Sequence, residues 1–209
     1  MSASSSQQNT AAARLLARQL KEINTANDLM GISVGLLRDE NVFEWEVSLM
    51  INDDCKYYGG ELTLTYPVPP TEESGRRQGL LTEILRDIGA IFRAHMTFPP
   101  EYPHLPPTMV FQHPVPFHPN VYPTGELCIS ILHPPEDDKT GYESASERWS
   151  PVQSPETVLL SVVSLFGEPN VDSPANLDAA KLLREEREGK NKEFRKRVRA
   201  CVRESLGDA

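Results

Sequence analysis

The chain has 209 residues, with 21 Lys and Arg against 30 Asp and Glu, a formal net charge of −9, and 39% apolar and 24% charged residues. That size and balance fit one soluble globular domain with extensions, large enough to bury a sizeable core. The acidic surface argues against nucleic acid or an anionic membrane as the main partner, and it permits a basic protein partner.

The three cysteines, Cys55, Cys128 and Cys201, are odd in number, far apart and without a C-x-x-C pair. Neither a disulfide framework nor a zinc cluster is expected. The opening "MSASSSQQNT" lacks the basic start and apolar run of a signal peptide, and no stretch approaches transmembrane length. Direct membrane insertion is therefore not expected, and cytosol or nucleus is the expected compartment.

Residues 1–9 read as a disordered tail ahead of a domain spanning residues 10–206. In "TAAARLLARQLKEI", Leu15, Leu16, Leu20 and Ile23 recur at helical spacing, with Arg14, Arg18 and Lys21 off that stripe. "GISVGLL" and "NVFEWEVSLMI" read as strands, the second alternating Phe43, Trp45, Val47 and Leu49 with polar residues. "ELTLTYPV" also alternates like a strand. "LLTEILRDIGAI" places Leu81, Ile84, Leu85 and Ile88 at helical spacing, and "IFRAHMTF" returns to a strand with Phe92, Ala94, Met96 and Phe98 on one side. A proline-rich connection, "PPEYPHLPP", leads to a short strand, "TMVFQ". After Cys128 comes a long loop with an acidic excess, "HPPEDDKTGYESASERWSP".

"SPETVLLSVVSLF" then predicts a helix in which Ser154 caps, Pro155 fills the first position and Glu156 suits the positive end. A loop with a second Ser-Pro, "EPNVDSPAN", precedes one or two C-terminal helices, "NLDAAKLLREERE" and "NKEFRKRVRACVRESL", with Gly189 near the break. The order predicts an α+β fold: an N-terminal helix, a four-stranded antiparallel meander, a central helix and C-terminal helices.

In "HPNVYPTGELCISIL", one thiol stands behind a His-Pro-Asn turn. A thiol can carry an acyl group as a thioester. If that group arrives as a thioester, the carrier needs an accessible sulfur and an oxyanion donor, such as an asparagine amide, rather than a strong base. A hydrolase would need a histidine base, and neither His118 nor His133 lies in a protease signature. The residues alone leave Cys128 between an acyl carrier and a small buried hydrophobe.

The segment resembles the active-site segment of ubiquitin-conjugating enzymes. Four further motifs resemble that family in the same order: "YYGG", "FPPEYPHLPP", "RWSP" and "EPNVDSPAN". The stretch from His133 to Trp149 is similar to the subclass with an acidic insertion beside the active site. Within it, the likeness is to the member that acts in endoplasmic-reticulum-associated degradation with membrane-embedded ligases.

The resemblance implies that Cys128 accepts ubiquitin from the activating enzyme and passes it to a lysine, building chains that signal proteasomal degradation. It implies no metal and no bound cofactor, since ATP is consumed by the activating enzyme. Asn120 would steady the oxyanion or hold its loop, and both roles are compatible. His118 is expected to be structural. Tyr122 would line the lysine's approach or pack. Asp137 and Asp138 would orient the incoming ammonium or belong to a solvated loop, with His133 packing that loop over Cys128.

RING-type ligases, among them endoplasmic-reticulum ligases, would meet His104, Leu105, Pro151 and Val152; His104 departs from the apolar residue usual there. Arg14, Arg18 and Lys21 would meet the activating enzyme or form an ordinary wet face. Leu160 and Ser164 would touch the donor ubiquitin, with the core as the alternative for Leu160. A non-catalytic module of the same fold and a thiol hydrolase remain as rival classes. Glu61 to Ala90 has no counterpart in the family: it reads as an insertion at a hairpin tip, as "ELTLTYP" replacing the usual third strand (Ile91 to Phe98 being preferred), or as a retained intron.

Overall fold

The fold is taken from a computed structural model that describes residues 10–25, 31–52, 88–134 and 146–207. Helix α1 (Ala11–Thr25) begins where Thr10 Oγ1 accepts the Ala13 N–H at 3.1 Å. Ala12, Ala13, Leu16 and Ile23 are its buried residues. Leu15 and Leu20 of the expected stripe are partly buried against the core.

Four strands follow: β1 (Ile32–Leu36), β2 (Glu44–Asn52), β3 (Ile88–Thr97) and β4 (Thr108–Phe111). They form one antiparallel sheet in chain order. The two-residue period decides the faces. Trp45, Val47 and Leu49 of β2 pair with Met96, Ala94 and Phe92 of β3, and all six are buried.

Strand β3 corrects one expectation. Helical spacing places Ile88 on a helix and alternation starts the strand at Ile91, but pairing extends to Ile51↔Ala90 and Asn52↔Ile88 across a bulge. Extending the ladder satisfies backbone groups that local periodicity cannot, so tertiary pairing overrides the helical spacing. The rest of that helical segment and the "ELTLTYPV" strand lie outside the described residues.

Helix α2 (Pro155–Gly167) covers the sheet with Val158, Leu159, Val162 and Phe166. Its start is a capping box. Thr157 N–H donates to Ser154 Oγ at 3.3 Å, and Ser154 N–H donates to Thr157 Oγ1 at 3.0 Å. Phe166 ties the helix to the strands through Phe92 at 6.0 Å and Phe111 at 5.9 Å between ring centroids.

Helix α3 (Leu177–Arg187) starts at the expected "NLDAAK", where Asn176 caps it by accepting from Ala179 N–H at 3.1 Å. Helix α4 (Glu193–Ser205) buries Phe194, Val198 and Val202. Gly189 separates the two at φ +74°.

Candidate active site

The segment around Cys128 is laid along the free edge of β4. Phe111 N–H donates to Gly125 O at 2.7 Å and Leu127 N–H to Met109 O at 3.0 Å. Between them the chain reverses: Tyr122 N–H donates to Glu126 O at 2.9 Å, and Gly125 N–H to Tyr122 O at 2.8 Å. Gly125 sits at φ +94°, a conformation open to glycine. The reversal brings Cys128 back beside Asn120, where Cys128 N–H donates to Asn120 O at 3.0 Å. The turn Ser130–Leu132 then folds His133 back, with Nε2 3.6 Å from Cys128 Sγ.

His118 is a structural residue. Its Nδ1 accepts the Asn120 N–H at 3.0 Å, so Nε2 carries the proton and donates to Leu165 O of α2 at 3.2 Å. The ring is buried, 5.1 Å from Phe166 between centroids. Burial lowers its pKa to about 3, so it stays neutral.

Asn120 is likewise buried, and its side chain is paired at both ends. Oδ1 accepts Asn170 N–H at 3.0 Å, and Nδ2 donates to Asn170 O at 2.9 Å. A second contact from Nδ2, to Ser173 O, is 3.5 Å long. Asn176 N–H adds a bond to Pro119 O at 2.8 Å. The loop after α2 is thereby stitched to the His-Pro-Asn turn. The loop-holding role of Asn120 is explicit in this geometry, and Asn170 is the partner that residue-by-residue reading missed. Its signal was the "EPN" that followed α2.

The Tyr122 side chain is exposed beside the sulfur. The charge of the Cys128 thiolate raises its pKa first, followed by partial burial and a hydrogen bond to that sulfur. Cys128 itself is half-buried. It opens on a cavity of about 490 Å³ that Asn120, His133, Glu147, Ser161 and Leu165 also line. Leu160 and Ser164 lie on the exposed side of α2, so Leu160 is not core.

His104, Leu105, Pro151 and Val152 are all exposed. Their two loops are joined by the buried Trp149, whose Nε1–H donates to Pro103 O. Tyr102 OH donates to Gln19 Oε1 of α1 at 2.8 Å, which anchors the proline-rich loop on that helix. Arg14, Arg18 and Lys21 are exposed there, with Arg18 3.4 Å from Glu22.

Asp137 and Asp138 lie outside the described residues, as does Cys55. Cys201 is partly buried, and that burial pushes its thiol up. Among the described residues, no group of three or more His, Cys, Asp or Glu is placed to hold a metal, and no helix is long and apolar enough to cross a membrane.

A family model described as ubiquitin-conjugating enzyme matches residues 88–202. The chain is 46% identical over 198 residues to ubiquitin-conjugating enzyme E2 15 of Schizosaccharomyces pombe, covering 95% of this chain and 97% of that protein. It is 42% identical over 198 residues to ubiquitin-conjugating enzyme E2 G2 of Homo sapiens, covering 95% and 98%. Among solved structures, human ubiquitin-conjugating enzyme E2 G1 matches with a TM-score of 0.50 and 33% identity, over 76% of this chain and 97% of that one.

Proposed function

The chain belongs to the ubiquitin-conjugating enzyme family, in its G2-like subclass, and on that premise we propose that Cys128 carries ubiquitin as a thioester and hands it to a lysine with a ligase. The observation that carries this reading is the setting of Cys128: a half-buried thiol at a cavity, pinned by its N–H to Asn120 O. Sγ attacks the thioester carbonyl delivered by the activating enzyme, and the thiolate of that enzyme leaves. ATP is used there, and this chain needs no bound cofactor.

Asn120 then serves a second purpose. One Nδ2 hydrogen is committed to Asn170 O, while the 3.5 Å contact to Ser173 is weak enough to exchange for a developing oxyanion. Asp137 and Asp138 orient the incoming ammonium. Leu160 and Ser164 receive the folded-back donor ubiquitin. Arg14, Arg18 and Lys21 meet the activating enzyme.

RING-type ligases, including those of the endoplasmic-reticulum membrane, dock on His104, Leu105, Pro151 and Val152. The product is a ubiquitin chain that signals proteasomal degradation, and membrane recruitment of a cytosolic enzyme comes through the ligase. The family likeness and the acidic insertion support this reading.

The test is a charging assay with activating enzyme, ubiquitin and ATP, resolved with and without reductant. A reductant-sensitive adduct is expected, absent in Cys128→Ala and reductant-resistant in Cys128→Ser. No adduct on a folded chain overturns the carrier role for this form. Repeating the assay with residues 61–87 deleted, leaving the β3 pairing of Ile88 to Ala90 intact, separates an inhibitory insertion from a wrong modifier.

A further inference from the structure

The 3.6 Å contact between His133 Nε2 and Cys128 Sγ is unused by the carrier role, because an acyl group that arrives as a thioester needs no strong base. Yet the contact is built. The backbone of His133 is held on both sides: its N–H donates to Ser130 O at 2.9 Å, and its carbonyl accepts the N–H of the buried Trp149 at 3.1 Å. The imidazole and the sulfur line the same cavity. A nucleophile and a base within reach, with the base fixed by the fold, is the arrangement that proton transfer requires.

We propose that His133 is a catalytic residue of the aminolysis step, taking the proton from the lysine amine that attacks the Cys128 thioester. This rests on the carrier reading of Cys128. The amine nitrogen bonds to the carbonyl carbon, and Nε2 takes the proton that the nitrogen sheds. The carbon–sulfur bond breaks and its electron pair leaves on Sγ. The imidazolium then returns the proton across the same contact, restoring thiol and neutral imidazole. No further reactant is needed.

Two polar neighbours cannot take this proton. Both ring nitrogens of His118 are engaged in the interior. The Tyr122 phenol, whose ordinary pKa lies far above neutral, keeps its proton and is a donor. Glu147 is the carboxylate of a described residue on the cavity wall, and α2 adds only Ser161 and Leu165 there.

The full chain and its His133→Gln and His133→Ala variants are charged to completion, the activating enzyme is stopped, free lysine is added, and thioester loss is timed. His133→Gln, which keeps a polar side chain without the base, is expected to discharge about 10²-fold more slowly. Added imidazole is expected to accelerate His133→Ala and not the unmodified chain. A wild-type discharge rate in His133→Gln, or a slow His133→Ala that imidazole does not rescue, overturns the proposal. Failure of the unmodified chain to form a thioester would instead remove the carrier reading.

Discussion

Trp149 donates its indole N–H to the carbonyl of Pro103 at 2.8 Å, and this bond joins two loops that are distant in sequence. The ring is fully buried and lies 5.9 Å from Tyr102 between centroids, while Leu105 and Val152 stand exposed on the two loops it connects. Trp149→Phe keeps a ring and removes the donor, leaving the Pro103 carbonyl without its partner. Urea unfolding is expected to show a loss of about 1–3 kcal/mol. Val152, at 88% exposure, separates surface from scaffold. Val152→Asp is expected to shift stability by less than about 0.5 kcal/mol while lowering ligase-stimulated discharge in a single-turnover assay.

Asn120 offers an acceptor to Asn170 N–H and a donor to Asn170 O. Asn120→Ala loses both bonds and is expected to cost about 1–3 kcal/mol per group left unpaired. Asn120→Asp keeps the acceptor but turns a carboxylate toward the carbonyls of Asn170 and Ser173. It is expected to be the less stable variant near neutral pH and to recover part of the difference in acid, where the carboxyl regains a donor. Thermal unfolding of the two variants at two pH values checks the order.

His118 makes stability depend on pH with a defined sign. Its folded pKa, about 3, lies below the ordinary 6.5, so the unfolded chain binds the extra proton first. The contribution is complete above pH ~6.5 and declines as pH falls toward ~3, by about 1.4 kcal/mol per pH unit across that window. Urea titrations from neutral pH to ~4 are expected to show this slope, and His118→Gln is expected to flatten it.

Gly125 carries the reversal that returns Cys128 to Asn120. An added Cβ would press on the Phe111 carbonyl oxygen, and the φ of +94° is unfavourable to any other residue. Gly125→Ala is expected to cost more than about 1–2 kcal/mol, the left-handed strain alone, with the clash added. Slower charging of Cys128 is expected with it, measured on the fraction that remains folded.

Much of this architecture was legible in the sequence wherever a local period coincided with a buried face. Alternation in β2, and from Phe92 in β3 on to Phe98 just beyond it, marked the inward residues, and Ser154-Pro155 marked the start of α2. Ile88 misled because three apolar residues at helical spacing precede it, whereas pairing with Asn52 depends on a strand distant in sequence. The start of α3 was legible too, because a cap is local: Asn176 stands where its side chain reaches the free Ala179 N–H.

The sequence by itself determined which chemistry is present: one thiol behind a His-Pro-Asn turn, in a frame of motifs that together specify a family. Residue types and short spacings carry that information because turns, caps and reactive groups are local. Tertiary structure alone decided what each group touches. It buried His118 neutral against α2, clamped Asn120 to Asn170 and turned His133 toward Cys128 Sγ. Those relationships depend on closing long loops around one core, and no local pattern records which distant carbonyl a side chain will meet.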